Sequence, residues 1–213
     1  MTPKLSDDEM AIYGLLERYN CPLQFHEVRA FFMGAIACPA LGINPTRVIG
    51  GIWGGKFPEF LTVEDADTFF DVLINQLWNS LTAHQDRKNP FPLMKGSHRS
   101  TRKDLAIIAV MRTDEIAHFI EGVWGPNEDM KLPLRAEKAV RALEEIYDLI
   151  SAIEDVALDR DVPKTAQDIK EMFTELGHLT IIAEKEIHIA IIACQKARKT
   201  QLTKLQKPTE WLQ

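Results

Sequence analysis

The sequence predicts an all-α fold, about seven helices in a single helical-bundle domain with an N-terminal lobe and a long C-terminal helical hairpin. Three observations carry that prediction. Apolar residues recur at three- and four-residue spacings along most of the chain. Short polar side chains stand repeatedly where they can accept a bond from the unpaired N–H groups of a helix's first turn. No alternating run of useful length competes as a strand.

Taken in order, Ser6 with Glu9 forms a capping box that opens a helix to about Asn20. After Pro22, Leu23 to Cys38 is apolar at Phe25, Val28, Phe31, Phe32 and Ile36 and stops at Pro39. Asn44 followed by Pro45 places a cap and a first-turn proline before Val48, Ile49 and Trp53. Thr62 with Asp65 opens a longer helix through Phe69, Val72, Leu73, Leu77 and Leu81 that ends near His84. Arg87 to Thr101 is a basic, proline-containing connection. A helix from Arg102 to Trp124 follows, and Gly125 and Pro126 break it. Leu134 to Leu158 repeats at Val140, Leu143, Ile146, Ile150 and Ile153, and Thr165 with Asp168 caps a last helix to about Lys199. Residues 1–213 are read as one domain with lobes over 1–94 and 101–199 and a tail over 200–213.

Composition removes several classes. The chain has 213 residues, 25 Lys+Arg against 31 Asp+Glu and 46% apolar residues, a balance unlike disordered or collagenous chains. Ala30 to Thr46 carries no charge, but Pro39, Gly42 and Pro45 break it well short of the roughly 20 residues a bilayer requires. Asp7, Asp8 and Glu9 fall where a signal peptide is apolar, so a cytoplasmic location and no membrane are expected. Three cysteines, Cys21, Cys38 and Cys194, give neither a disulfide framework nor a Cys-x-x-Cys metal pair.

No complete catalytic motif stands out. Gly50 to Lys56 has the glycine and lysine spacing of a phosphate-binding loop, but Phe57 follows where Ser or Thr must hold magnesium, and no strand precedes it. The glycines fit a helix exit better. Glu115 with His118, and Glu175 with His178, are Glu-x-x-His pairs on two helices, the spacing with which di-iron carboxylate bundles grip metal. Glu144, Glu145 or Glu154 offer a further carboxylate. At roughly 100° per residue, Glu115 falls about 80° and His118 about 140° from the apolar stripe of their helix, and Glu175 and His178 lie farther from theirs, so these four read mainly as solvated polar faces. The five serines and the apolar surroundings of Cys38 and Cys194 give no nucleophile.

Charge is concentrated. Residues 87–103 hold Arg87, Lys88, Lys95, Arg99, Arg102 and Lys103 with no acid, and residues 196–207 repeat the pattern with five basic residues. Lys95, Arg99, Arg102 and Lys103 are therefore candidates for contact with nucleic acid or the ribosome.

The segment Glu27 to Leu93, with "EVRAFFMGAIACPALGINPTRVIGGIWGG", "FPEF", "VEDADTFFDVLINQLWNSL" and "PFPLM", resembles the YecA/YgfB-like family of bacterial proteins. Pro39, Pro45, Trp53, Gly54 and Gly55 mark the turn that carries the likeness, and "EIAHFIEGVWG" is similar to a later family helix. The resemblance implies an all-helical bacterial cytoplasmic protein whose family core has no established enzymatic activity. The cysteine-rich zinc motif of longer members has no counterpart here. The reading that results is a non-enzymatic interaction or regulatory module with an unidentified macromolecular partner and no cofactor. Trp53, Phe57, Phe60 and Trp211 are candidate anchors, and the apolar Ile181 to Ala193 suggests a homodimer. A nucleic-acid-associated factor and a di-metal bundle built on Glu115, His118, Glu175 and His178 are the alternatives.

Overall fold

The computed structural model describes residues 6–96, 100–125, 130–159 and 165–206. Over them the protein is all-α with seven helices and no strand. Helix α1 spans Asp7–Arg18, α2 Phe25–Ala37 and α3 Pro45–Ile52. Helix α4 starts as Val63–Phe70, passes through π-helical turns over Asp71–Trp78 and ends as Asn79–Thr82. Helices α5, α6 and α7 span Arg102–Trp124, Leu134–Leu158 and Ala166–Gln206.

Local chemistry accounts for most of the helix starts. Ser6 and Glu9 exchange the two bonds of a capping box, and Asn44, Thr62 and Thr101 each accept a first-turn N–H through the side chain. Helix α2 uses a device the sequence reading missed: the Glu27 carboxylate accepts the backbone N–H of Gln24. Glutamine is an uncommon residue at that position, which hid the signal.

Helices α2 and α5 form the heart of the molecule, with α6 and α7 packed successively beyond α5. The crossing of α2 and α5 is backbone on backbone: a Cβ added to Gly34 would stand 2.9 Å from the Cα of Gly122, and one on Gly122 would stand 3.0 Å from the Cα of Gly34. One continuous apolar core follows, from Ile12 and Leu16 of α1 through Phe32, Phe119 and Leu143 to Ile187 and Ile191 of α7. At the N-terminal end, Tyr19, Trp53 and Phe60 each turn an edge toward Phe69, with ring centroids 5.1–5.3 Å apart.

Two expectations need correction. The tail expected from residue 200 is helical as far as Gln206. No glycine or proline stands between Gly177 and Pro208, the lysines suit a helix C-terminus, and the Thr200 and Thr203 hydroxyls bond carbonyls one turn back. The second correction concerns Glu115, expected on a solvated face and instead fully buried. A helix packed by α2 on one side and by α6 and α7 on the others has little free flank, so 80° from the stripe is still inside.

Candidate functional site

The buried carboxylate of Glu115 belongs to a network that holds an extended segment. It accepts the Met94 N–H at 2.7 Å and a bond from Arg112, whose guanidinium also donates to the Met94 carbonyl. The Leu93 N–H donates to Glu184 of α7 at 2.9 Å, and Arg29 lies over the Phe91 ring at 4.8 Å. The "PFPLM" segment thus lies between α2, α5 and α7, and side chains meet the Leu93 and Met94 N–H groups and the Pro92 and Met94 carbonyls, as burial outside regular secondary structure demands. Burial pushes the Glu115 carboxyl up to about 7, against the pull of the Arg112 charge and the Met94 N–H.

The family-like turn is also mainly architecture. Pro39 is buried just after α2, Pro45 opens α3, and Gly54 and Gly55 adopt φ of 68° and 87° at its exit. Those positive angles are what glycine supplies, and they explain the resemblance to a phosphate loop without a phosphate. Trp53 donates its indole N–H to the Tyr19 carbonyl at 3.1 Å and packs on Phe69, while Phe60 joins the same aromatic cluster. Phe57 is 40% exposed, and Trp211 lies outside the described residues. An apolar cleft of about 840 Å³ opens beside this turn, between α2, α3 and α5.

The structure does not bring the four residues of the di-metal alternative together. Glu115 is held by Arg112 inside the bundle, while Glu175 and His178 are exposed on α7. His118 is half-buried and donates from Nδ1 to the Asp114 carbonyl at 2.8 Å. Among the described residues, ligand-type side chains gather instead at His26, Glu27 and Asp114. Desolvation holds the His26 imidazole below the usual histidine range, partly offset by its contact with Asp114 at 3.4 Å.

The basic segments divide by role. Arg102 donates to the carbonyls of Val156 and Ala157 at the end of α6, and Arg198 to those of Ile36 and Cys38 at the end of α2. Both cations answer the unpaired carbonyls and partial negative charge of a helix C-terminus, so Arg102 is turned inward. Lys95 and Lys103 are exposed, and Arg99 and residue 207 lie outside the described residues.

What remains forms a groove of about 710 Å³ along α7. Arg87, Arg135 and Lys196 reach it from the turn after α4, the first turn of α6 and α7. Its floor is aliphatic at Ile189, Ile192 and Ala193, and no carboxylate or Phe, Tyr or Trp is among the described residues that line it. None of the three cations has an ion-pair partner among the described residues. The N-terminus of α6, at Pro133 and Arg135, borders the groove with no side-chain cap. Sequence reading saw the runs containing Arg87 and Lys196 but not Arg135, which lies outside both acid-free runs and joins them only through folding.

The fold and groove define an all-α bundle with a surface groove rimmed by three basic side chains. No protein-family model, curated protein or solved structure matches the chain. Among the described residues, no helix is long and apolar enough to cross a membrane.

Proposed function

We propose that this chain is a non-enzymatic interaction module that captures an acidic, amphipathic segment of another protein in the groove along α7. The observation that carries the reading is the convergence of Arg87, Arg135 and Lys196, from three separate elements, over an aliphatic floor. Such a surface suits a peptide whose carboxylates meet the rim while its apolar side chains settle on Ile189 and Ile192. The uncapped start of α6 adds partial positive charge to the same place. The resemblance to the YecA/YgfB-like family supports a non-enzymatic role in a bacterial cytoplasm. Ile181 and Ile182, 65% and 46% exposed on α7, support a homodimer within this reading, which light scattering on a clean monomer rejects.

A nucleic-acid partner is the weaker fit. Single-stranded binders stack successive bases on aromatic platforms, and the described lining offers one imidazole, His188, and no Phe, Tyr or Trp. The net charge of −6 also opposes a long polyanion more than a short peptide. Fluorescence anisotropy with a labelled peptide of alternating Glu and Leu, and separately with a single-stranded RNA oligonucleotide, distinguishes the two. The proposal expects salt-sensitive peptide binding weakened about tenfold or more by Lys196→Glu or Arg135→Glu, a loss of about 1.4 kcal/mol. Binding of RNA alone, lost in the same variants, transfers the groove to nucleic acid. No binding of either probe overturns both.

A further inference from the structure

We propose that His26, Glu27 and Asp114 form a site for a divalent transition-metal ion of the zinc class that clips the first turn of α2 to the middle of α5. One ligand atom from each side chain lies within 4.8 Å of the other two. Metal bonds of about 2.0–2.2 Å draw such atoms to within about 4 Å, a closure that small side-chain rotations supply. One imidazole and two carboxylates suit zinc or manganese and leave coordination positions for water.

The surroundings support a cation. The backbone N–H of Gln24 engages one oxygen of Glu27 and orients that carboxylate, in the manner of the outer-shell bonds that position metal ligands. Glu154 of α6 lies close enough to Asp114 to feel its charge. Neither Glu27, Asp114 nor Glu154 forms an ion pair with Lys or Arg among the described residues. Negative charge from α2, α5 and α6 therefore meets beside an imidazole with no fixed cation to balance it. His118, one turn beyond Asp114, uses Nδ1 on a backbone carbonyl, and its Nε2 has no hydrogen-bond partner among the described residues. Its charge is felt at His26, which makes it a fourth side chain, and the second imidazole, at the rim. The site is remote in kind from the α7 groove and stands or falls independently of it.

Calorimetric titration of metal-free protein with Zn²⁺ tests the assignment. The expected result is one saturable equivalent with a Kd in the micromolar range or tighter, weakened at least about tenfold in His26→Ala and in Asp114→Asn. Saturating zinc should raise the Tm of the wild type and not of those variants, whose circular dichroism without metal reports that they fold. His26→Gln serves if His26→Ala unfolds. His178→Ala, at an exposed histidine elsewhere, should bind as the wild type does. Absence of saturable binding, or binding untouched by both the His26 and Asp114 substitutions, overturns the site.

Discussion

Gly34 of α2 and Gly122 of α5 meet face to face, each occupying the space in which the other's Cβ would stand. Around them, the Phe119 carbonyl and the Val123 N–H on one helix, and the Phe31 carbonyl and the Ala35 N–H on the other, also fall inside contact distance of an added methyl. Every one of these neighbours is backbone, so relief requires the helices to move apart.

Gly34→Ala and Gly122→Ala are each expected to destabilise the protein by about 3 kcal/mol or more, since overpacking against rigid backbone cannot be absorbed by a rotamer change. Thermal melts should show a fall of roughly 10 °C for a chain of this size. Gly14→Ala, in α1 with nothing within 4 Å of its added Cβ, provides the contrast. It should be neutral or stabilising by up to about 1 kcal/mol, because alanine is the better helix former.

Stability should carry a pH signature from Glu115. Its carboxyl rises from 4.5 to about 7 in the folded protein, chiefly through desolvation. The folded state therefore holds the proton more tightly than the unfolded chain. The resulting contribution is complete below pH 4.5 and is lost as pH rises through about 7, at up to about 1.4 kcal/mol per unit. Urea unfolding at pH 5 and pH 8 should show that loss in the wild type and its reduction in Glu115→Gln, which cannot ionise. Glu115→Ala leaves Arg112 buried without its carboxylate and should cost about 3–5 kcal/mol.

Arg198 was grouped by sequence with the basic run over 196–207, yet its guanidinium reaches the Ile36 carbonyl at 3.0 Å and Gln85 at 2.6 Å. Arg198→Ala should therefore lower stability by about 2 kcal/mol through unpaired carbonyls at the end of α2. Lys199→Ala, one residue on and exposed, should change it by less than about 0.5 kcal/mol. Equal effects in the two variants would contradict the capping role.

The three thiols should be unreactive in the native protein. Burial raises Cys38, lifts Cys21 to about 11 and Cys194 to about 12, so the thiolate is scarce at pH 8. Ellman's reagent should report three fast thiols only in denaturant.

The helical architecture was legible because its determinants are local. Ser6 with Glu9, Asn44 with Pro45, and Thr62 with Asp65 start helices using groups within a few residues. The stripe through Ile169, Leu176, Ala183, Ile187 and Cys194 marks the inward face of α7 by period alone. The two interior glycines also carried a signal, since glycine inside a helical pattern calls for a packing reason, but nothing local pairs Gly34 with Gly122.

The candidate sites were far less legible. Arg87, Arg135 and Lys196 are widely separated along the chain, and His26 and Asp114 lie on different helices, so neither group has a spacing to read. Glu115 was misplaced for a related reason: the wet face of α5 is a narrow strip through Lys103, Ile107, Val110, Ala117 and Glu121, and which neighbours cover the remaining flanks is set by packing. By itself the sequence determined which segments are helical and which side of most of them is apolar, because backbone capping and hydrophobic period act over one or two turns. Only the tertiary structure decided which charges are consumed at helix ends, which converge on a groove and which carboxylates meet a histidine, because those outcomes depend on distances that folding alone sets.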